Sequence, residues 1–296
     1  MKGGLLCLPC TVRTALDIAV KATEDKKLQS KLVYETMRWL AQNPKELDNT
    51  PAALHTYVQR LAKKITGNPD PFKELKKASN EIALRAVKSL EKECSQLGFR
   101  DAFRLAALGT ICGNTIDFEV EGHQFSMEEL ESSLLSCLKE DLAIDDTPKL
   151  TEALSKSKKV VYLLDNAGEI VFDRFFIKMI AENFPVKVYA AVKDGPILND
   201  ATLEDAEQVG LKEVAEVITT GNDHIGLNLK ESSKEFLDHI KDADLIIAKG
   251  QGNYESITEV ENVLPKPIVY ILRTKCSLVA DTLSAPRNGN IVKVII

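Results

Sequence analysis

The sequence predicts an α/β protein: a Rossmann-like three-layer α/β/α sandwich with a mostly parallel sheet, joined to an N-terminal all-helical region. Two observations carry this. From Val160 onward, apolar runs of strand length alternate with helical patterns, whereas almost everything before them is helical in period. Those runs also end, one after another, in carboxylates, amides, glycines and cations, as loops gathered at one edge of a parallel sheet would. The expected organisation is a helical N-terminal domain over 1–112, a helical linking segment over 113–157 and the α/β domain over 158–296.

The chain has 296 residues, 44% hydrophobic and 28% charged, which suits a soluble globular protein with a well-formed core. A formal net charge of -6 argues against general nucleic-acid binding, which needs a basic face. No apolar run reaches the roughly 18–20 residues of a membrane span. The N-terminus turns helical too early for a signal peptide. A cytoplasmic location is expected, with a small molecule as partner rather than nucleic acid or membrane. The six cysteines are then expected to be reduced, unless the source is thermophilic.

Cys7-Leu8-Pro9-Cys10 stands directly before a helical pattern (Val12, Ala15, Leu16, Ala19, Val20). A thiol at a helix N-terminus is acidified, two thiols are half a zinc site, and the pair also reads as plain packing. The next apolar faces are Leu28, Leu32, Met37, Leu40 and Ala41, then Leu54, Val58, Leu61 and Ala62. Asn68-Pro69-Asp70-Pro71 breaks the run and caps a helix from Phe72 to Leu90. Trp39 reads as core, and the lysine pairs Lys63-Lys64 and Lys76-Lys77 as solvated faces. An apolar helix over Phe103–Cys112 ends in Gly113-Asn114-Thr115-Ile116-Asp117, where Gly and Asn suit a helix C-terminus. A linking helix over Met127–Lys139, an acidic loop over Asp141–Asp146 and a helix over Lys149–Lys156 lead to the first strand.

That strand, Val160–Leu164, is too short and too β-branched for a helix. It stops on Asp165-Asn166-Ala167-Gly168-Glu169. Asp165 and Asn166 offer hard oxygens of the kind that magnesium and manganese take. Glu169 opens a helical pattern, and a helix N-terminus welcomes an anion such as phosphate. The same residues are also ordinary turn and N-cap chemistry. The strands that follow are Lys187–Val192, Ala215–Thr220, Leu245–Ala248, Ile268–Leu272 and Ile291–Ile295, the last a candidate antiparallel edge. Helices are expected over Ile170–Asn183, Leu203–Val209, Ser232–Ile240 and Ser256–Val260. Gly250-Gln251-Gly252 is not a dinucleotide fingerprint, because Glu255 stands where its third glycine belongs. The histidines show no zinc-protease spacing, and His224 reads as a surface residue.

Taken in order, Asp165-Asn166-Ala167-Gly168-Glu169, Asn199-Asp200-Ala201-Thr202, Lys249-Gly250-Gln251-Gly252-Asn253-Tyr254-Glu255 and Arg273-Thr274-Lys275-Cys276 resemble the metal-dependent damage-control phosphatases. This family is long labelled domain of unknown function eighty-nine and is also called ARMT-like. Cys7-Leu8-Pro9-Cys10, Asp70-Pro71-Phe72 and Gly113-Asn114-Thr115-Ile116-Asp117 resemble its prokaryotic and archaeal subgroup, so the resemblance covers essentially the whole chain. It implies hydrolysis of sugar phosphates or damaged phosphometabolites with a divalent cation: magnesium, manganese, cobalt or nickel. By motif position, Asp165, Asn166 and Asp200 would hold the metal. Lys249 and Lys275, with Arg273, would meet the phosphate, and Asp165 and Glu169 would take part in the chemistry. Asn114, Asp117, Gly250 and Asn253 would line the pocket. Eukaryotic members carry R-x-x-K where this chain has Arg273-Thr274-Lys275, so the match is closer at Lys275 than at Arg273. Two other functions fit parts of the chain. One is an S-adenosylmethionine-dependent carboxyl methyltransferase, although no glycine-rich loop follows the first strand. The other is a metal or redox module centred on Cys7 and Cys10.

Overall fold

Val161 and Tyr162 point to opposite sides of one strand, and the protein is layered about that strand. The computed structural model describes residues 1–113, 132, 134–265 and 267–296. Asn114, Asp117 and residues 127–131 and 133 of the expected linking helix lie outside the described residues.

Five helices come first: α1 (Cys7–Ala22), α2 (Lys26–Gln42), α3 (Pro51–Thr66), α4 (Lys73–Ser95) and α5 (Phe99–Cys112). Their ends follow local chemistry. Asp25 caps α2 by accepting from Lys27 N, and Thr50 caps α3 with Pro51 in its first turn. Gly67 closes α3 in the left-handed conformation. Then come β1 (Leu142–Asp145), α6 (Thr147–Lys156), β2 (Lys159–Leu163), α7 (Glu169–Asn183), β3 (Lys187–Val192), α8 (Leu203–Gln208) and β4 (Glu216–Thr219). The chain finishes with α9 (Lys234–Lys241), β5 (Leu245–Lys249), α10 (Gly250–Ile257), β6 (Ile268–Arg273), α11 (Ser277–Leu283) and β7 (Asn290–Ile295).

The seven strands form one sheet in the order β1-β7-β6-β5-β2-β3-β4. Strands β2 to β6 are parallel, and β7 runs antiparallel to β6. The last strand is not an edge, because β1 pairs with its free side. The expected acidic loop over Asp141–Asp146 is thereby corrected to a strand. Leu142 and Ile144 are too few apolar residues to mark a strand by themselves; the partner β7 makes one of them.

Side chains alternate across the central strands. Val160, Tyr162 and Leu164 join Leu245, Ile247, Val269 and Ile271 in a core covered by α4 to α8. Val161, Leu163, Ile246, Ala248 and Tyr270 face the other way, into a core closed by α9, α10 and α11. Because both faces are covered, Val160–Leu163 of β2 and Leu245–Ala248 of β5 are continuous apolar runs rather than alternating ones. Phe103, Phe172 and Phe176 fill the first core, Phe103 and Phe176 with ring centroids 5.0 Å apart. Helices α1 to α3 form a smaller cluster of their own with Phe72, against which Leu198 from the loop after β3 packs. Trp39 is half-buried rather than core and stacks on Tyr57 at 3.8 Å.

Two cysteine readings change. Cys112, at the end of α5, is bonded to Cys137, while Cys7, Cys10, Cys94 and Cys276 are free. The two bonded residues are 25 apart in sequence, and only packing brings them to a Cα separation of 5.7 Å. Denatured, unreduced protein should therefore titrate four thiols. Dithiothreitol should lower the unfolding free energy in urea by about 2–4 kcal/mol, an effect that Cys137→Ser should abolish.

Candidate active site

Strands β2, β3 and β4 step outward in one direction, and the chain then returns to place β5 on the other side of β2. The carboxyl ends of β2 and β5 thus flank a topological switch point, where the departing loops diverge and leave a crevice. Asp165 follows β2 there, Lys249 ends β5, and Gly250 comes next.

The turn after β2 is laced to the turn after β3. Ala167 N donates to Asn199 O at 2.8 Å, Ala201 N donates to Asp165 O at 2.8 Å, and Asn166 and Asp200 form an isolated antiparallel bridge. This pairing brings Asp165, Asn166 and Asp200 together although 34 positions separate the last two. Asn166 Nδ2 donates to Asp165 Oδ2 at 3.0 Å, which leaves its carbonyl oxygen as the atom to offer. Asp200 Oδ2 is buried with no hydrogen-bond partner among the described residues; Lys193 Nζ, just past the end of β3, is 3.8 Å away and donates instead to Gly226 O. Burial pushes the Asp200 carboxyl up to about 7, with Lys193 opposing and Asp165 adding to the shift. Two carboxylates and an amide oxygen, one of them a buried orphan, fit a hard divalent cation. Among the described residues, no three or more His, Cys, Asp or Glu side chains are grouped to hold a metal. Cys7 is buried and Cys10 exposed, and burial pushes both thiols up rather than activating them.

Gly250 is the close neighbour of this group. Its φ is +77°, and a Cβ there would meet Asp165 Oδ2 at 1.9 Å. The expected loop over this stretch is corrected: α10 begins at Gly250, so the Asp165 carboxylate lies against a helix N-terminus. Glycine is required because the carboxylate occupies the space of its side chain. Asn253 is buried in the first turn of α10 and donates to Leu164 O at 3.1 Å and Lys249 O at 2.8 Å. Its amide hydrogens therefore bind β2 to β5 rather than facing a pocket.

Beneath this layer Lys249 is fully buried. Its ammonium contacts Glu169 Oε1, Asp173 Oδ1 at 3.2 Å and Thr110 O at 3.1 Å. Tyr162 donates its hydroxyl to Asp173 at 2.6 Å. Glu169 is pushed up to about 8, first by burial, with Lys249 opposing and Asp165 and Asp173 adding to it. Its Oε2 has no hydrogen-bond partner among the described residues. Lys275 is exposed on the loop after β6, its N–H donating to Gln251 Oε1 at 3.1 Å, and its charge pulls the Asp165 carboxyl down against burial. Arg273 is engaged with Glu140 at 2.9 Å and Asn290 at 3.4 Å.

The sequence of this chain matches the damage-control phosphatase ARMT1-like domain over residues 6–291. The chain belongs to that family. It is 38% identical over 289 residues to a damage-control phosphatase of Pyrococcus horikoshii, covering 98% of this chain and 96% of that one. A damage-control phosphatase of Archaeoglobus fulgidus is 36% identical over 298 residues, with complete coverage of both chains. An uncharacterized protein of Methanocaldococcus jannaschii is 41% identical over 288 residues, covering 97% and 93%. The crystal structure of a DUF89 family protein from P. horikoshii superposes with a TM-score of 0.88 at 35% identity, covering 99% and 98%.

Three residues of this site escape a reading by motif. Lys193 follows a strand as Lys249 does, and that placement was the available signal. Asp173 lies one helical turn beyond Glu169, directly after the apolar run Ile170–Phe172, a placement that marks an inward-facing carboxylate. Asn80, on α4, accepts from Gly168 N at 2.7 Å and leaves no local signal. His224 is buried, its Nδ1 2.7 Å from Ile225 O, which corrects the surface reading. Lys76 is likewise 4% exposed rather than solvated, and Lys63 bonds Pro196 O and Asp223.

Gly250→Ala should displace the Asp165 carboxylate and lower phosphatase turnover by roughly 100-fold, with an unchanged far-UV spectrum. Lys249→Met leaves Glu169 and Asp173 buried without their cation, and urea denaturation should show a loss of about 3–5 kcal/mol.

Proposed function

We propose that this phosphatase hydrolyses small phosphate esters, sugar phosphates or damaged phosphometabolites, at the carboxyl ends of β2, β3 and β5 with a divalent cation. One observation carries the reading: the laced turns hold Asp165, Asn166 and Asp200 together, with an orphaned carboxylate oxygen, against the N-terminus of α10. The family and the names of its relatives support the substrate class.

In this reading Asp165, Asn166 and Asp200 hold the cation, which supplies Lewis-acid polarisation of a phosphoryl oxygen and a more acidic water. The chain's own residues provide the rest. The first-turn amides of α10 and the Lys275 ammonium meet the remaining phosphoryl oxygens, where charge accumulates as the ester bond breaks. The Oε2 of Glu169, which has no hydrogen-bond partner among the described residues, takes the proton of the attacking water, and the Lys249 ammonium favours the ionised carboxylate that this task needs by opposing the rise that burial imposes. Lys249 holds the other oxygen of Glu169 in place and is not a direct phosphate ligand here.

The test is phosphate release from p-nitrophenyl phosphate and a panel of sugar phosphates. Chelator-stripped protein should be inactive and should recover with magnesium, manganese, cobalt or nickel. Asp165→Ala should stay inactive with every metal. Glu169→Gln should lower kcat by about 10²–10⁴-fold while metal binding persists. Full activity in stripped protein, or in Asp165→Ala, would overturn the proposal.

A further inference from the structure

One buried side chain from the helical layer bonds one of the two turns that carry the cation donors and reaches the other through Asp205. Asn80 sits on α4, fully buried. Its Oδ1 accepts from Gly168 N at 2.7 Å, two positions past Asn166. Its Nδ2 donates to Asp205 Oδ1 at 3.0 Å and to Gln208 Oε1 at 2.8 Å. The other Asp205 oxygen accepts from Thr202 N at 2.8 Å and Thr202 Oγ1 at 2.7 Å, two positions past Asp200. A single amide therefore joins the turn that opens α7 to the turn that opens α8. Lys76 pins this carboxylate from the same helix, 3.3 Å from Asp205 and 3.4 Å from Asp70, with all three side chains largely buried. Asp70 in turn accepts from Phe72 N, so the Asp70-Pro71-Phe72 stretch anchors the far end of the chain of contacts.

We propose that Asn80 is a positioning residue: by bridging Gly168 and Asp205 it sets the gap between Asp165–Asn166 and Asp200, and with it the affinity for the divalent cation. The inference rests on the metal-dependent reading above. Backbone pairing sets the register of the two turns, and Asn80 closes the third side from outside the sheet. The position needs an acceptor and donors at once. An aspartate would face Asp205 with a second acceptor, and an alanine would orphan the Gly168 N–H in the interior.

The experiment is calorimetric titration of metal-free protein with Mn²⁺, with turnover measured against metal concentration. Asn80→Asp sets two acceptors face to face, and Asp205→Asn sets two donors face to face. The doubly substituted protein restores one donor and one acceptor while keeping the Gly168 and Thr202 contacts. Each single variant should weaken Mn²⁺ binding by roughly tenfold or more, with kcat at saturating metal changed far less. The double variant should return to within about threefold of the parent, the non-additivity expected of a direct contact. Either single variant suffices if the other fails to fold, and melting temperatures report stability separately. Single variants that fold and bind Mn²⁺ like the parent would overturn the proposal. So would a double variant as weak as the singles. Failure of the parent itself to bind Mn²⁺ would instead overturn the metal reading.

Discussion

The Lys249 ammonium, buried with Glu169, Asp173 and Thr110 O, ties four parts of the molecule to one point. It belongs to the end of β5, Glu169 and Asp173 to the first turns of α7, and Thr110 to α5 in the helical layer. Tyr162 adds β2 through its bond to Asp173. Removing one ammonium and two carboxylates from water is expensive, and such groups persist when each remaining polar atom has a partner or a use. Here Glu169 Oε2 and Asp173 Oδ2 have none among the described residues. The arrangement fits a site that holds charge ready for chemistry.

Above that cluster the sheet topology makes the space. The return of the chain from β4 to β5 opens the crevice beside β2, and Gly250 lets the Asp165 carboxylate rest on the start of α10. The lacing between the turns after β2 and β3 then brings Asp200 to Asp165 and Asn166. Negative groups that would repel one another are gathered beside a helix N-terminus and within the field of Lys193, Lys249 and Lys275. Burial raises Asp165, Glu169 and Asp200 together, the Asp165 charge adds to the rise at Glu169 and Asp200, and a bound cation would relieve that repulsion.

Much of the fold was legible because its signals are local. The central strands are apolar runs buried on both faces, and turn residues bound them on each side. The helices of the first half repeat apolar residues at helical spacing, and Asp25, Thr50 and Gly67 end them by local capping chemistry. The departures have one cause. Strand β1 exists because β7 offers it a ladder. Gly250-Gln251-Gly252 looks like a loop because glycines disfavour helices, yet here they open α10 to admit a carboxylate. Lys76 and His224 look solvated because their buried partners, Asp205 and the Ile225 carbonyl, are not visible in their local pattern.

The candidate site divides in the same way. Asp165-Asn166, Asp200, Glu169, Lys249 and Lys275 stand at strand ends or helix starts, and the alternating pattern alone places them at one edge of the sheet. Which of them touch is decided only in the packed chain. Lys249 turns inward to Glu169 and Asp173, Arg273 turns to Glu140, and Asn253 ties backbone to backbone. Asn80 and Asp205 enter from segments that carry no strand-end signature. Periodicity and turn chemistry depend on neighbours a few residues away, so a chain read linearly reveals them. The partners of a buried charge lie 80 residues apart for Lys249 and Glu169, and only the folded layers bring them into contact.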